Sequence, residues 1–132
     1  MDWKRKGGCA VNGIKYLADT NAVIYLLTGN PCMKPFLHER LAVSVITFME
    51  LLSFPGLTAE EEKTIRTFLS LCEILQIDEQ IREETIRIRK KHKVKLPDSI
   101  IAASAMTREL TLITADTGFA KLENLHLEEL KP

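Results

Sequence analysis

The chain has 132 residues, 45% hydrophobic and 27% charged, with 18 basic and 18 acidic side chains cancelling to zero. That length suits one domain around one core, and the composition excludes a disordered tail. Zero net charge leaves any nucleic-acid contact to local clusters rather than global attraction.

Residues 1–8 (MDWKRKGG) are basic, but no signal-type apolar region follows, because Asn12, Lys15, Asp19 and Asn21 interrupt it. Residues 1–14 are expected to be a flexible extension and 15–132 a single domain. KYLA (15–18) reads as a strand and NAVIYLLT (21–28) as a helix. A Gly-Asn-Pro turn leads to a short helix over 32–39. LAVSV (41–45) is β-rich, and TFMELLSF (47–54) is helical up to Pro55-Gly56. Thr58 and Glu61 form a capping box for a helix over 59–71. CEILQID (72–78) alternates like a strand, and Asp78 caps a charged helix over 79–93. Pro97 starts a helix over 97–109. TLIT (111–114) is a strand, a short helix follows near 117–121, and LHLEEL (125–130) is the last strand.

Strands separated by helices imply right-handed crossovers, and so a parallel sheet with helices on both faces. Sites in such sheets form beyond the carboxyl ends of the strands. Chemistry is therefore expected just after residues 18, 45, 78 or 114.

Cys9, Cys32 and Cys72 are few, odd in number and widely spaced, with no C-x-x-C. A disulfide framework is not expected, and a reducing cytoplasm fits. His38, His92 and His126 lie too far apart in sequence to suggest a zinc motif. No apolar run approaches the ~20 residues of a membrane span.

Four acids stand at or near the expected places. Asp19 follows the first strand and could cap the next helix. Glu50 follows the second, where Thr47-x-x-Glu50 also matches a capping box. Asp98 lies in the first turn after Pro97, where it suits the helix dipole. Residues i+3, i+4 and i+7 from it are Ile101, Ala102 and Ala105, so it projects along the apolar stripe. Asp116 follows TLIT and could form an Asx-turn. Asp78 is the internal control: it too lies between a strand and a helix, and no chemistry is assigned to it. Position alone does not make an acid catalytic; the joint pattern does. Carboxylates converging at one sheet end repel and shift their pKa values upward. A divalent cation relieves that, and oxygen-only ligands favour Mg²⁺ or Mn²⁺. Such an ion can polarise a phosphoryl oxygen and activate water. G-x-S-x-G, G-x-G-x-x-G and P-loop patterns are absent. Water attacking a phosphodiester is the economical chemistry.

Thr20, Asn21 and Thr114 flank the acids and could orient water or carboxylates, or serve only turns and caps. Ser99 and Ser104 have weaker claims. Residues 86–95, IRIRKKHKVK, hold six basic side chains and no acid. They read either as a solvated helix end or as a phosphate-binding strip, with Arg89, Lys91 and Lys93 as RNA-binding candidates.

LADTNAVIYLL, SVITFMELL, KLPDSIIAASAM and TLITADTGF occur in this order across nearly the whole chain. The pattern resembles the PIN-domain ribonucleases and, within them, the VapC-type toxins of prokaryotic toxin–antitoxin pairs. The resemblance implies a three-layer α/β/α sandwich with a mostly parallel five-stranded sheet. It implies a Mg²⁺- or Mn²⁺-dependent endoribonuclease, with metal-site roles for Asp19, Glu50, Asp98 and Asp116 and support from Asn21 and Thr114. It also implies a homodimer neutralised by a cognate antitoxin. Two departures stand out. Gly118 occupies a position where many relatives carry an acid, which weakens the case for a second fully liganded metal. Residues 1–13 match nothing in the pattern.

Two alternatives remain at this level. One is a non-catalytic protein of the same fold that binds RNA or a partner, toward which Gly118 leans. The other is a phosphotransfer receiver or aspartate-based phosphatase. Receivers need paired acids near strand one and a late lysine, and the phosphatases need D-x-D where this chain has D-T-N.

Overall fold

The computed structural model describes residues 13–132. Five strands carry the fold: β1 (Tyr16–Ala18), β2 (Leu41–Ser44), β3 (Glu73–Leu75), β4 (Thr111–Thr114) and β5 (Leu127–Glu129). They form one sheet in the order β3-β2-β1-β4-β5, and every pairing is parallel. The helices are α1 (Thr20–Leu27), α2 (Val45–Leu52), α3 (Ala59–Ser70), α4 (Glu79–Lys91) and α5 (Leu96–Thr107).

Strand side chains alternate between two separate cores, as the two-residue period requires. Leu17, Ala42 and Leu112 face one cluster, closed by Ile81 and Ile88 of α4 and Ile101 and Ala105 of α5. Their chain neighbours Ala18, Val43 and Ile113 face the other, closed by Val23 of α1, Leu51 of α2, and Ile65 and Leu69 of α3. Because both faces are covered, β2 and β4 read as near-continuous apolar runs. The result is the expected three-layer α/β/α sandwich. Leu17 and Leu112 are fully buried on one face, and truncating either to alanine should cost about 2–5 kcal/mol.

Most element ends fall within two residues of expectation. Thr58 and Glu61 make the capping box at α3, and Asp78 caps α4 through the Ile81 amide. The short helix expected near 117–121 is present as a 3-10 helix, Thr117–Lys121. Two readings need correction. The helix expected over 32–39 is a 3-10 segment, Pro31–Phe36, because Pro35 lacks the amide a longer helix would need. Helix α2 begins two residues early, capped by Ser44, whose Oγ accepts from the Ile46 amide. Thr47 and Glu50 therefore lie inside α2 and form no capping box.

Ile14 is buried against the α4–α5 core, so the ordered packing already includes the last residue of the expected extension. Residues 1–12 of that extension lie outside the described residues.

Sheet order places the site. The chain leaves β1 to build β2 and β3 on one side, then returns to place β4 and β5 on the other. At such a switch point the connections after adjacent strands diverge and leave a crevice at the carboxyl edge. Asp19, the α2 segment and Asp116 emerge there.

Candidate active site

Asp19 ends β1 and is 6% exposed. Its Oδ1 accepts the Ala22 amide at 2.8 Å and so caps α1. Burial raises its pKa above the ordinary carboxylate value. The Thr114 hydroxyl and the Ala22 amide oppose that rise, and the charges of Asp116 and Asp98 add to it.

Asp98 occupies the first turn of α5, where Pro97 is accommodated because first-turn amides lack helical partners. Ile101, Ala102 and Ala105 below it are buried, so the expected stripe is real and Asp98 is half-buried at its upper end. Its pKa is raised too, first by burial, then by Asp116 and Glu50, with Lys95 acting the other way.

Asp116 forms the expected Asx-turn: its Oδ1 accepts the Gly118 amide at 2.8 Å, while its own amide donates to Thr114 Oγ1 at 2.9 Å. A Cβ at position 118 would lie 3.0 Å from that same Oδ1. Glu50, on the exposed side of α2, accepts a 2.5 Å hydrogen bond from Thr20 Oγ1.

Asp19, Glu50, Asp98 and Asp116 line one cleft of about 410 Å³ together with Thr20 and Asn21, walled by Ile24, Phe54, Ile101 and Phe119. Among the described residues none of the four acids makes an ion pair, although five other acids do. The cleft thus gathers negative charge without neutralising it. Among the described residues no three acidic, histidine or cysteine side chains yet surround a common point at ligand distance. Asp19, Glu50 and Asp116 each have one oxygen engaged, by a cap, a hydroxyl or a turn amide. Oxygen donors at a negatively charged cleft fit a hard divalent cation and no soft one.

A larger apolar groove of about 530 Å³ adjoins the cleft and shares Ile24 and Phe54 with it. Its acids, Glu60 and Glu61, both come from the first turn of α3, where Glu61 is held in the capping box, whereas the acids of the smaller cleft come from four separate segments.

Other predicted residues fall elsewhere. Arg89, Lys91 and Lys93 do not line the acid cleft. Arg89 donates to the Val94 carbonyl beyond the end of α4, Lys91 borders a separate groove, and the Lys93 carbonyl accepts from Lys121 Nζ. The basic residue of that run nearest the chemistry is Lys95, which the sequence reading did not single out. Ser99 and Ser104 donate to carbonyls of their own helix turn and take no part in the cleft. Thr47 was also missed except as a cap; its fully buried hydroxyl meets Thr20 at 3.1 Å.

The PIN domain family profile matches residues 16–125, spanning all four acids. The chain belongs to the PIN-domain family. Solved structures of similar proteins agree. A toxin–antitoxin complex from Klebsiella pneumoniae is 34% identical over 84% of this chain and 95% of that one, with a TM-score of 0.74. DNA-bound VapBC from Salmonella typhimurium is 25% identical over 88% of this chain and 98% of that one, with a TM-score of 0.72. VapBC-1 from nontypeable Haemophilus influenzae is 25% identical over the same shares, with a TM-score of 0.70. The resemblance to VapC-type toxins read from four short motifs therefore extends to the whole PIN fold. Comparison with curated proteins gives no match. Among the described residues, no helix is long and apolar enough to cross a membrane.

Proposed function

We propose that this PIN-domain protein is a Mg²⁺- or Mn²⁺-dependent endoribonuclease toxin acting at the Asp19–Glu50–Asp98–Asp116 cleft. One observation carries the reading: four carboxylates from α2, α5 and the ends of β1 and β4 line one cleft with no cationic side chain to pair them. Uncompensated carboxylates cost stability unless a ligand offsets them. A divalent ion held by these four would supply charge stabilisation at a phosphodiester and activate water as nucleophile.

The chain's own residues have separable tasks. Asp19 and Asp98, drawn into the fold, hold fixed negative charge where the ion would sit. Thr114 steadies both Asp19 and the Asp116 turn. Thr20 orients Glu50. Asn21, exposed at the cleft mouth, is available to an RNA phosphate or a water. Lys95 beside Asp98 would favour an approaching phosphate, and Arg89, Lys91 and Lys93 extend basic surface away from the cleft.

Incubating structured RNAs with the chain and Mg²⁺ should give defined cleavage that EDTA and Asp98→Asn both abolish. Cleavage unchanged under both conditions would contradict the reading.

The toxin–antitoxin complexes among the similar structures support a cognate antitoxin as partner. A cytoplasmic location and a homodimeric working state are part of the same proposal, and rest on the sequence resemblance alone. The apolar groove beside the cleft, with Phe54 59% exposed, is a suitable surface for such a protein. Gly118 favours a second reading, a non-catalytic RNA- or partner-binding member of the family. Mn²⁺ titration separates the two, since a dead site should bind the ion weakly or not at all.

A further inference from the structure

Thr47 is a buried polar residue that the four-acid reading leaves unused. It is fully buried in α2, one helical turn before Glu50 and on the same face. Buried helical hydroxyls elsewhere in the chain turn back on their own helix. Thr85, Ser99, Ser104 and Thr107 each donate to a carbonyl three or four residues earlier, at 2.7–2.8 Å for the shortest of each. Thr47 does not. Among the described residues its hydroxyl has one partner, Thr20 Oγ1 at 3.1 Å, across the gap between α2 and α1.

Proton counting fixes the direction of that bond. A threonine hydroxyl has one proton to give. Thr20 gives its proton to Glu50 Oε1, because a carboxylate oxygen can only accept. The bond between the two threonines must then use the Thr47 proton. The result is a directed chain, Thr47 to Thr20 to Glu50, running from the core to the cleft. Each link polarises the next and strengthens the hold on the carboxylate. Glu50 is exposed and is the one long-chained member of the four acids, with the most rotamer freedom to lose. A fixed relay from the core removes that freedom before any ligand arrives.

The geometry points to Thr47 as a positioning residue that, through Thr20, aims the Glu50 carboxylate into the acid cleft. The inference rests on the proposed cation site, and its test keeps the two apart. Mn²⁺ alone is titrated calorimetrically into the metal-free full chain. Thr47→Val keeps the side-chain shape and removes the hydroxyl; Thr47→Ser keeps the hydroxyl. Losing a group that orients a metal ligand typically weakens metal binding by at least about tenfold. Thr47→Val should therefore bind Mn²⁺ about tenfold more weakly than wild type, and Thr47→Ser within about twofold of it. In a Glu50→Gln background Thr47→Val should add nothing, because the relay then has no carboxylate to aim.

Wild-type affinity in Thr47→Val, alongside a clear loss in Glu50→Gln, overturns the positioning role and leaves the cation site intact. An equal loss from Thr47→Val in both backgrounds also overturns it, by showing that Thr47 acts on the fold rather than through Glu50. Wild type and Glu50→Gln binding Mn²⁺ equally poorly overturns the cation site itself, and the relay with it. Should Thr47→Val fail to fold by circular dichroism, Thr20→Val against Thr20→Ser puts the same contrast on the half-buried middle link.

Discussion

Asp19 and Asp78 begin alike and end differently. Each follows a strand, each has extended backbone, and each caps the next helix through an Oδ1 that accepts the amide three residues on, at 2.8 and 2.9 Å. Beyond the cap their surroundings diverge. Asp78 sits at the end of β3, an edge strand, and pairs with Arg108, which also donates to Gln80 at 3.0 Å. That clasp ties the start of α4 to the end of α5. Asp19 sits at the end of the central strand, beside Asp98 and Asp116, with no cation opposite. A cap is thus common ground and discriminates nothing. What separates a structural acid from a candidate ligand is whether the fold supplies the countercharge or leaves it to be bound.

The largest expected effect is on RNA cleavage. Asp98→Asn should lower it by at least about a hundredfold, as removing one charged group at a reacting centre commonly does, whereas Asp78→Asn should leave it near wild type. A comparable loss from both would erase the distinction between the two regions. Stability should respond in the opposite pattern. Arg108→Ala removes the partner of Asp78, whose side chain is partly exposed, and should cost about 1 kcal/mol in urea denaturation with Mn²⁺ affinity unchanged.

A smaller effect has opposite signs in the two regions. Asparagine caps a helix about as well as aspartate. Asp19→Asn should therefore raise the urea midpoint of the metal-free chain by removing a buried charge that faces two others, while Asp78→Asn should lower it by removing the partner of Arg108. The smallest is a pH dependence. Asp19 has its pKa raised by folding above the ordinary 3.8, so the unfolded chain loses its proton first. The metal-free protein should then lose stability as pH climbs from about 3.8 through the raised value, and saturating Mn²⁺ should flatten that slope. Stability rising through that window in Asp19→Asn but falling in wild type would isolate the contribution of this one carboxylate.

Much of this architecture is legible in the sequence, because its signals are local and repeated. TLIT and KYLA read as strands from composition, the Thr58–Glu61 box from spacing, and the Asp98 stripe from Ile101, Ala102 and Ala105 at helical intervals. The failures have a common cause. The T-x-x-E pattern at Thr47 satisfies a capping rule, yet Ser44 lies three residues earlier and takes the cap, and Thr47 turns toward a different helix. Which of two competent caps wins depends on where α1 packs, and that is tertiary information. The placement of the basic run is tertiary information too. Its charge is plain in the sequence, but only the fold shows that Arg89 and Lys91 lie outside the acid cleft and that Lys95 is the member felt by Asp98.

On the proposed function, Asp19, Glu50, Asp98 and Asp116 share a divalent cation and Asp78 does not. Calorimetric titration of Mn²⁺ into the metal-free chain, beside Asp98→Asn and Asp78→Asn, tests it directly. Saturable binding is expected in wild type and in Asp78→Asn with matching affinity, and a loss of at least about tenfold in Asp98→Asn. Equal affinity in all three chains would contradict it.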